Sequence, residues 1–209
     1  MTLRDEVGKF RAWAEALPRA MRPAEWECDY SDWADLHSEA IALLNATPAD
    51  HWSRDDVADL LYAIARDNES EYLAGQLANR IDALLALAAM SVPATENDAK
   101  WQLAHQLGKA NSHQVEAEAI LLQLVDDKNE YVSRRSLLAL GVMKSGKAEA
   151  LAERAWTSGQ EYQRMAALSV LHDIGSAKLA DYIERAVADG RQHLAHSARQ
   201  LQQSSQPKT

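Results

Sequence analysis

YVSRRSLLALGVMK at residues 131–144 and YQRMAALSVLHDIG at residues 162–175 decide the fold. Laid over one another, 31 residues apart, they place Tyr131 on Tyr162, Leu137 on Leu168 and Leu140 on Leu171. Each reads as a two-sided helix with small residues where a neighbouring helix must come close. Each is followed by a short turn and a second helix, Lys147 to Trp156 and Ala177 to Ala188. The second helices match too, ALAERA at 150–155 against LADYIERA at 179–186. A fixed period of about 30 residues marks a stacked repeat, because one unit cannot bury its own apolar face.

Working outward, a ring recurs at Tyr72, Trp101, Tyr131, Tyr162 and His193, with intervals of 29, 30, 31 and 31 residues. Each ring follows a polar breaker run, such as Asp126-Asp127-Lys128-Asn129. Two readings compete for these rings. The first, favoured by how often aromatics at helical spacing are core, is a core knob at the start of each second helix. The other is an exposed aromatic ladder.

The periodicity predicts helices near 53–66, 98–110, 113–126, 129–143, 147–157, 160–174, 177–188 and 190–203. The stretch 69–91 reads as one long helix or as two broken near Asn79, and the even ring spacing favours two. Upstream, Leu3 to Leu17 is amphipathic and ends at Pro18, and Ser31 is the expected N-cap of a helix from Asp32 to Leu44. The expected organisation is an N-terminal helical cap over 1–50, a repeat array over 51–203 and a frayed tail over 204–209.

The repeated helix resembles the HEAT repeat, in particular its short bacterial form, called HEAT-like or phycobilisome-lyase-like, which reads roughly V-R-x-A-A-x-x-A-L-G-x-L-G. Val132, Ser136, Ala139, Leu140 and Gly141 fit one copy, and Arg164, Ala166, Ala167, Leu171, Ile174 and Gly175 fit the next. The resemblance is good over 113–188, weaker over 67–112 and 189–203, and absent from 1–50. It implies an all-α fold, an α-solenoid of antiparallel helix pairs, and a binding scaffold as the function.

Composition narrows the classes. With 8 Gly and 5 Pro in 209 residues the chain is neither all-β nor disordered in character. No apolar run reaches the roughly 18 residues that span a bilayer, and MTLRDEVGKF lacks the apolar core of a signal peptide. One cysteine excludes an internal disulfide, so a cytoplasmic location is expected. The net charge of −9 is uneven: residues 1–100 hold 19 acids and 9 bases, residues 101–209 hold 12 acids and 13 bases. An acidic half repels phosphates and attracts a basic partner, so nucleic acid is disfavoured.

Few motifs carry chemistry. Gly141 to Ala148 nearly spells a phosphate-binding loop, but a helix precedes it and Ala148 has no hydroxyl for a magnesium ion. His193 and His196 share a helix face without enough further ligands for zinc, and the remaining histidines show no ligand spacing. Cys28 lies between Glu27 and Asp29, whose charge suppresses its thiolate. Neither a metal nor a cofactor is expected, and no catalytic residue is assigned.

The most unusual stretch runs from Glu25 to Asp35, with five carboxylates and three large rings. It reads either as a solvated helix entry whose rings staple the cap to the array, or as an acidic–aromatic patch for a basic partner. Lys100, Arg134, Arg135, Arg164 and Arg199 lie close to ring positions and read as structural ion pairs or as a binding stripe. The expected partner-binding residues are Trp26, Asp29, Tyr30, Asp32, Trp33, Asp35, Trp101, Arg134, Arg135 and Arg164. The expected function is a non-catalytic protein-binding solenoid: an adaptor or inhibitor, in its sharpest version an immunity-type protein that masks a basic toxin domain. The alternative is an enzyme similar to the HEAT-like alkylpurine DNA glycosylases, with Trp101 and Trp156 as the candidate rings. A chromophore-handling lyase is a third reading, by analogy of repeat type alone.

Overall fold

The computed structural model describes residues 1–18, 20, 22 and 25–204. Nearly all of the expected tail at 204–209 lies outside them. The described residues are helical, with no strand among them. The helices are α1 (Leu3–Ala16), α2 (Trp33–Ala46), α3 (Arg54–Arg66), α4 (Tyr72–Leu77), α5 (Ile81–Ser91), α6 (Asn97–Gly108), α7 (Gln114–Leu124), α8 (Glu130–Val142), α9 (Ala148–Thr157), α10 (Glu161–Asp173), α11 (Leu179–Asp189) and α12 (Gln192–Ser204). None is long and apolar enough to cross a membrane. The chain divides into two compact units, Met1–Gln106 and Leu107–Thr209.

Local chemistry sets the helix starts. Thr2 and Asp5 form a capping box on α1, and Ser53 with Asp56 forms another on α3. Each box satisfies backbone N–H groups that the first turn leaves open. The side chain of Asn129 accepts from the N–H of Tyr131 at 3.0 Å and of Val132 at 3.2 Å, starting α8. The expectation for α2 needs correction. Its N-cap is Asp32, because the Ser31 hydroxyl is spent on Asp32 Oδ1 at 2.7 Å instead of capping a helix. The stretch 69–91 is two helices, parted at Ala78, Asn79 and Arg80. There Ala78 and Arg80 turn their N–H groups to Gly75 and Leu77, and the Arg80 guanidinium covers the carbonyl of Gln76.

In the first unit, α1 packs on α2 and α3 around Phe10, which is fully buried. The rings of Trp13, Trp26, Tyr30, Trp33 and Tyr62 surround it, with centroids between 4.6 and 6.1 Å away. The close edge-to-face pairs add to the burial of their large apolar areas.

In the second unit, the repeat reappears in the hydrogen bonds. Ser145 donates its N–H to the Leu140 carbonyl and its hydroxyl to Glu118; Ser176, its counterpart in the next copy, does the same to Leu171 and Glu149. The side chain of Ser133 reaches the carbonyl of Val125, and that of its counterpart Arg164 reaches the carbonyl of Trp156. Lys144, with φ of 55°, occupies the left-handed position that Gly175, with φ of 68°, occupies in the next copy. Small residues let helices close up: a Cβ on Gly141 would meet Val170 Cγ2 at 2.8 Å. Gln163, near the start of α10, donates to the Glu130 carbonyl at the start of α8. With starts adjacent and ends adjacent, α8 and α10 run side by side in the same direction.

Candidate functional site

The repeated ring divides by register. Tyr131 and Tyr162 are each the second residue of their helix, and 38% and 51% exposed respectively. Tyr72 is 42% exposed, and His193 is exposed as well. Only Trp101 is buried, at 7%, with its indole N–H donating to Asp98 Oδ1 at 3.1 Å. The core-knob expectation is therefore corrected at four of the five positions. In α8 and α10 the covered stripe starts one residue later, at Val132 and Gln163. One residue is about 100° of helix, which turns the ring outward.

The ladder is bridged. The Arg134 guanidinium lies 4.7 Å from the Tyr131 ring centroid and 5.1 Å from that of Tyr162, and its Nε donates to Glu130 at 3.0 Å. Arg135 lies 5.9 Å from the Tyr131 centroid. The ion pair and the two rings hold Arg134 in place, so the Tyr131–Arg134–Tyr162 stack stands preformed at the surface.

Arg164 has another task. It donates to the Trp156 carbonyl at 3.1 Å, pairs with Asp189 and lies 5.0 Å from the Trp156 ring centroid. It joins three elements of the second unit. Lys100 is buried. Of the basic stripe, Arg134 and Arg135 lie on exposed rings, and Arg199 is exposed on α12.

The segment 25–35 also divides. Asp29, Asp32 and Asp35 are exposed, whereas Tyr30 is buried and Trp26 and Trp33 are half-buried on Phe10. Trp26 stacks on Trp13 with centroids 5.3 Å apart. The rings staple the turn to α1 and leave the carboxylates to the solvent. The Cys28 thiol is pushed up, first by loss of water around its sulfur and then by Glu69, Glu25, Glu27 and Asp29. A raised thiol is a poor nucleophile at neutral pH.

The loop-like Gly141 to Ala148 joins α8 to α9 through a turn at Lys144, with helix on both sides. His193 and His196 are both exposed on α12. His37 and Glu27, to which sequence spacing assigned no role, line one cavity with Trp33. Trp33 and His37, four apart on α2, were the only legible signal, because i and i+4 share a helix face. Compared with family models, curated proteins and solved structures, the chain finds no match.

Proposed function

We propose that this protein is a non-catalytic protein-binding α-solenoid of HEAT-like helix pairs, a bacterial adaptor or inhibitor in the cytoplasm. The observation that carries the reading is the exposed Tyr131–Arg134–Tyr162 stack, built from successive copies of one repeated helix. Tyrosine and arginine are the residues that most often anchor interfaces, and a stack already held in place loses little freedom on binding. The bonds of Ser145 and Ser176, recurring in register, support the repeat array. The exposed Asp29, Asp32 and Asp35, in a half with a net charge of −10 (9 bases less 19 acids), favour a partner with basic side chains. An immunity-type masking of a basic domain is the narrowest form of this proposal.

The glycosylase alternative gains no observation. Trp101 and Trp156 are both buried and so cannot flank a ligand without unpacking.

The test is capture from a native lysate with and without about 300 mM salt, where screening shortens electrostatic reach to roughly 6 Å. The expected result is a stoichiometric basic protein, lost at high salt, and lost to Tyr131→Ala with Tyr162→Ala at low salt. The triple change of Asp29, Asp32 and Asp35 to Asn is expected to slow its association. Nucleic acid retained without a stoichiometric protein would overturn the reading.

A further inference from the structure

The first unit holds a cavity lined by Glu27, Trp33, His37, Arg66, Asp67 and Glu69. Its volume is about 290 Å³, near the lower end of ligand cavities, which run from roughly 300 Å³ upward. Its walls are the 3₁₀ turn Trp26–Asp29, the first turns of α2, and the end of α3 with the residues that follow it.

The charged groups there fall into two kinds. Asp67 is committed to the fold, and Arg66 in part, since its buried Nε has no hydrogen-bond partner. Arg66 meets Glu96 at 2.9 Å, and Asp67 accepts the N–H of Leu73 at 2.8 Å and the hydroxyl of Ser70. His37 stands 3.3 Å from Asp67, its ring between those of Trp33 and Tyr72. Glu27 and Glu69 are held less firmly. Glu27 is only 6% exposed, yet its nearest cation, Arg66, lies 3.7 Å away with no hydrogen bond between them. Glu69 is exposed at the rim and makes no ion pair among the described residues.

Trp33 supplies a fixed aromatic wall. Its indole N–H donates to the Glu27 carbonyl at 2.9 Å, and its ring meets that of Tyr30 edge-on with centroids 5.9 Å apart. Three carboxylates thus face one guanidinium and one imidazole around a held ring. Burial pushes the Glu27 carboxyl up; a backbone hydrogen bond and the charge of Arg66 pull it back, and Asp98 and Glu69 add a smaller push upward. A carboxylate buried at such a cost gains most from a second cation. An aromatic face with carboxylates around it is the arrangement that takes a guanidinium or ammonium group.

We propose that this cavity receives an arginine or lysine side chain of the partner protein, held between the Glu27 and Glu69 carboxylates against the Trp33 ring. This inference rests on the protein-binding reading and names the chemistry of its contact with the first unit. It converts the acidic–aromatic segment from a charged surface into a receptor with one deep carboxylate.

The probe is methylguanidinium, titrated into the full chain and followed by the indole N–H resonances in proton–nitrogen spectra. The expected result is a saturable shift of the Trp33 indole. Binding should weaken at least threefold in Glu27→Gln and about twofold in Glu69→Gln, and acetate should produce no shift. Glu27→Gln removes a buried charge at constant shape, and the exposed Glu69→Gln serves as the second variant if the first does not fold. A linear shift spread over Asp29, Asp32 and Asp35, or saturation unchanged by either variant, would overturn the cavity. Saturable binding in a protein that captures no partner would instead overturn the protein-binding reading, so the two failures are distinct.

Discussion

The two units bury different chemistry. Met1–Gln106 holds four buried carboxylates, Glu6, Glu27, Asp59 and Asp67, and a buried lysine, Lys100, around and beside its aromatic cluster. Among the described residues of the second unit the buried polar groups are Ser136 and Gln163 alone, the first bonded to the Val132 carbonyl and the second to the Glu130 carbonyl. A buried charge has to be met by a partner, and each partner is particular to its place. Arg4 and Arg11 serve Asp59, and Lys9 serves Glu6. Alanine, leucine and glycine need only close approach, which can be copied from one repeat to the next. The first unit is therefore a singular assembly, and the second is a pattern.

The largest break in this contrast should come from Phe10→Ala. It removes the ring that five others touch, and truncation of a buried aromatic costs about 3–5 kcal/mol. Urea unfolding followed by tryptophan emission should show a large loss, since Trp13, Trp26 and Trp33 all lie on Phe10. A loss below about 1 kcal/mol would mean that the cluster is not cooperative.

Next come the glycines, which play opposite parts. A Cβ on Gly108 would stand 2.7 Å from Ala139 Cβ and 2.8 Å from Ala139 Cα, where backbone must give way. Gly108→Ala is expected to destabilise by about 1–3 kcal/mol. Gly8, inside α1, has nothing within 4 Å. Gly8→Ala should stabilise by about 0.5–1 kcal/mol through helix propensity alone. Thermal melts of the two variants should move in opposite directions, and a shared direction would refute the close approach.

A smaller change sharpens the repeat. Lys144 holds the left-handed conformation that Gly175 holds one copy later. Lys144→Gly should therefore stabilise by about 1 kcal/mol, the strain an L-residue carries there. A destabilised variant would show that the lysine side chain does something the glycine copy does not.

The last difference appears only in acid. Asp189 is held down to about 2, against an ordinary 3.8, first by hydrogen bonds from Arg191 and then by the charges of Arg191 and Arg164. A lowered carboxyl stabilises the fold above its ordinary value, and that stability drains away as pH falls from about 4 to about 2. Glu27 is raised, so it does the reverse: its burial costs stability at neutral pH, and the cost disappears on protonation. Asp189→Asn should thus lose its disadvantage near pH 2, whereas the advantage of Glu27→Gln should be confined to higher pH. Urea midpoints across pH 2–7 test both signs.

Much of the fold was legible because it is written in local terms. The period of the leucines and the break at Asn79 act within one turn of backbone, whereas the cap expected at Ser31 is displaced by one residue to Asp32. The repeat was legible too, since Tyr131 and Tyr162 mark the same helix position. The facing of the rings was less so. The ring out of step is Trp101: it sits a turn into α6, which starts at Asn97, whereas Tyr131 and Tyr162 are the second residues of their helices, and it is the buried one. Where a helix starts relative to its ring sets the face the ring takes, and even spacing along the chain does not fix that start.

By itself the sequence determined that the chain is helical, where most helices lie to within a few residues, and that the pattern of 131–144 recurs at 162–175. Propensity, capping and apolar period depend only on neighbours along the chain. Tertiary structure alone decided which rings face outward, that Arg164 serves Asp189 while Arg134 stands between two tyrosines, and that Glu27, Trp33 and Arg66 meet around a cavity. Those outcomes depend on which stripe of each helix its neighbours cover, and the covering residues lie outside the helix itself, as Asp189 lies 25 residues beyond Arg164.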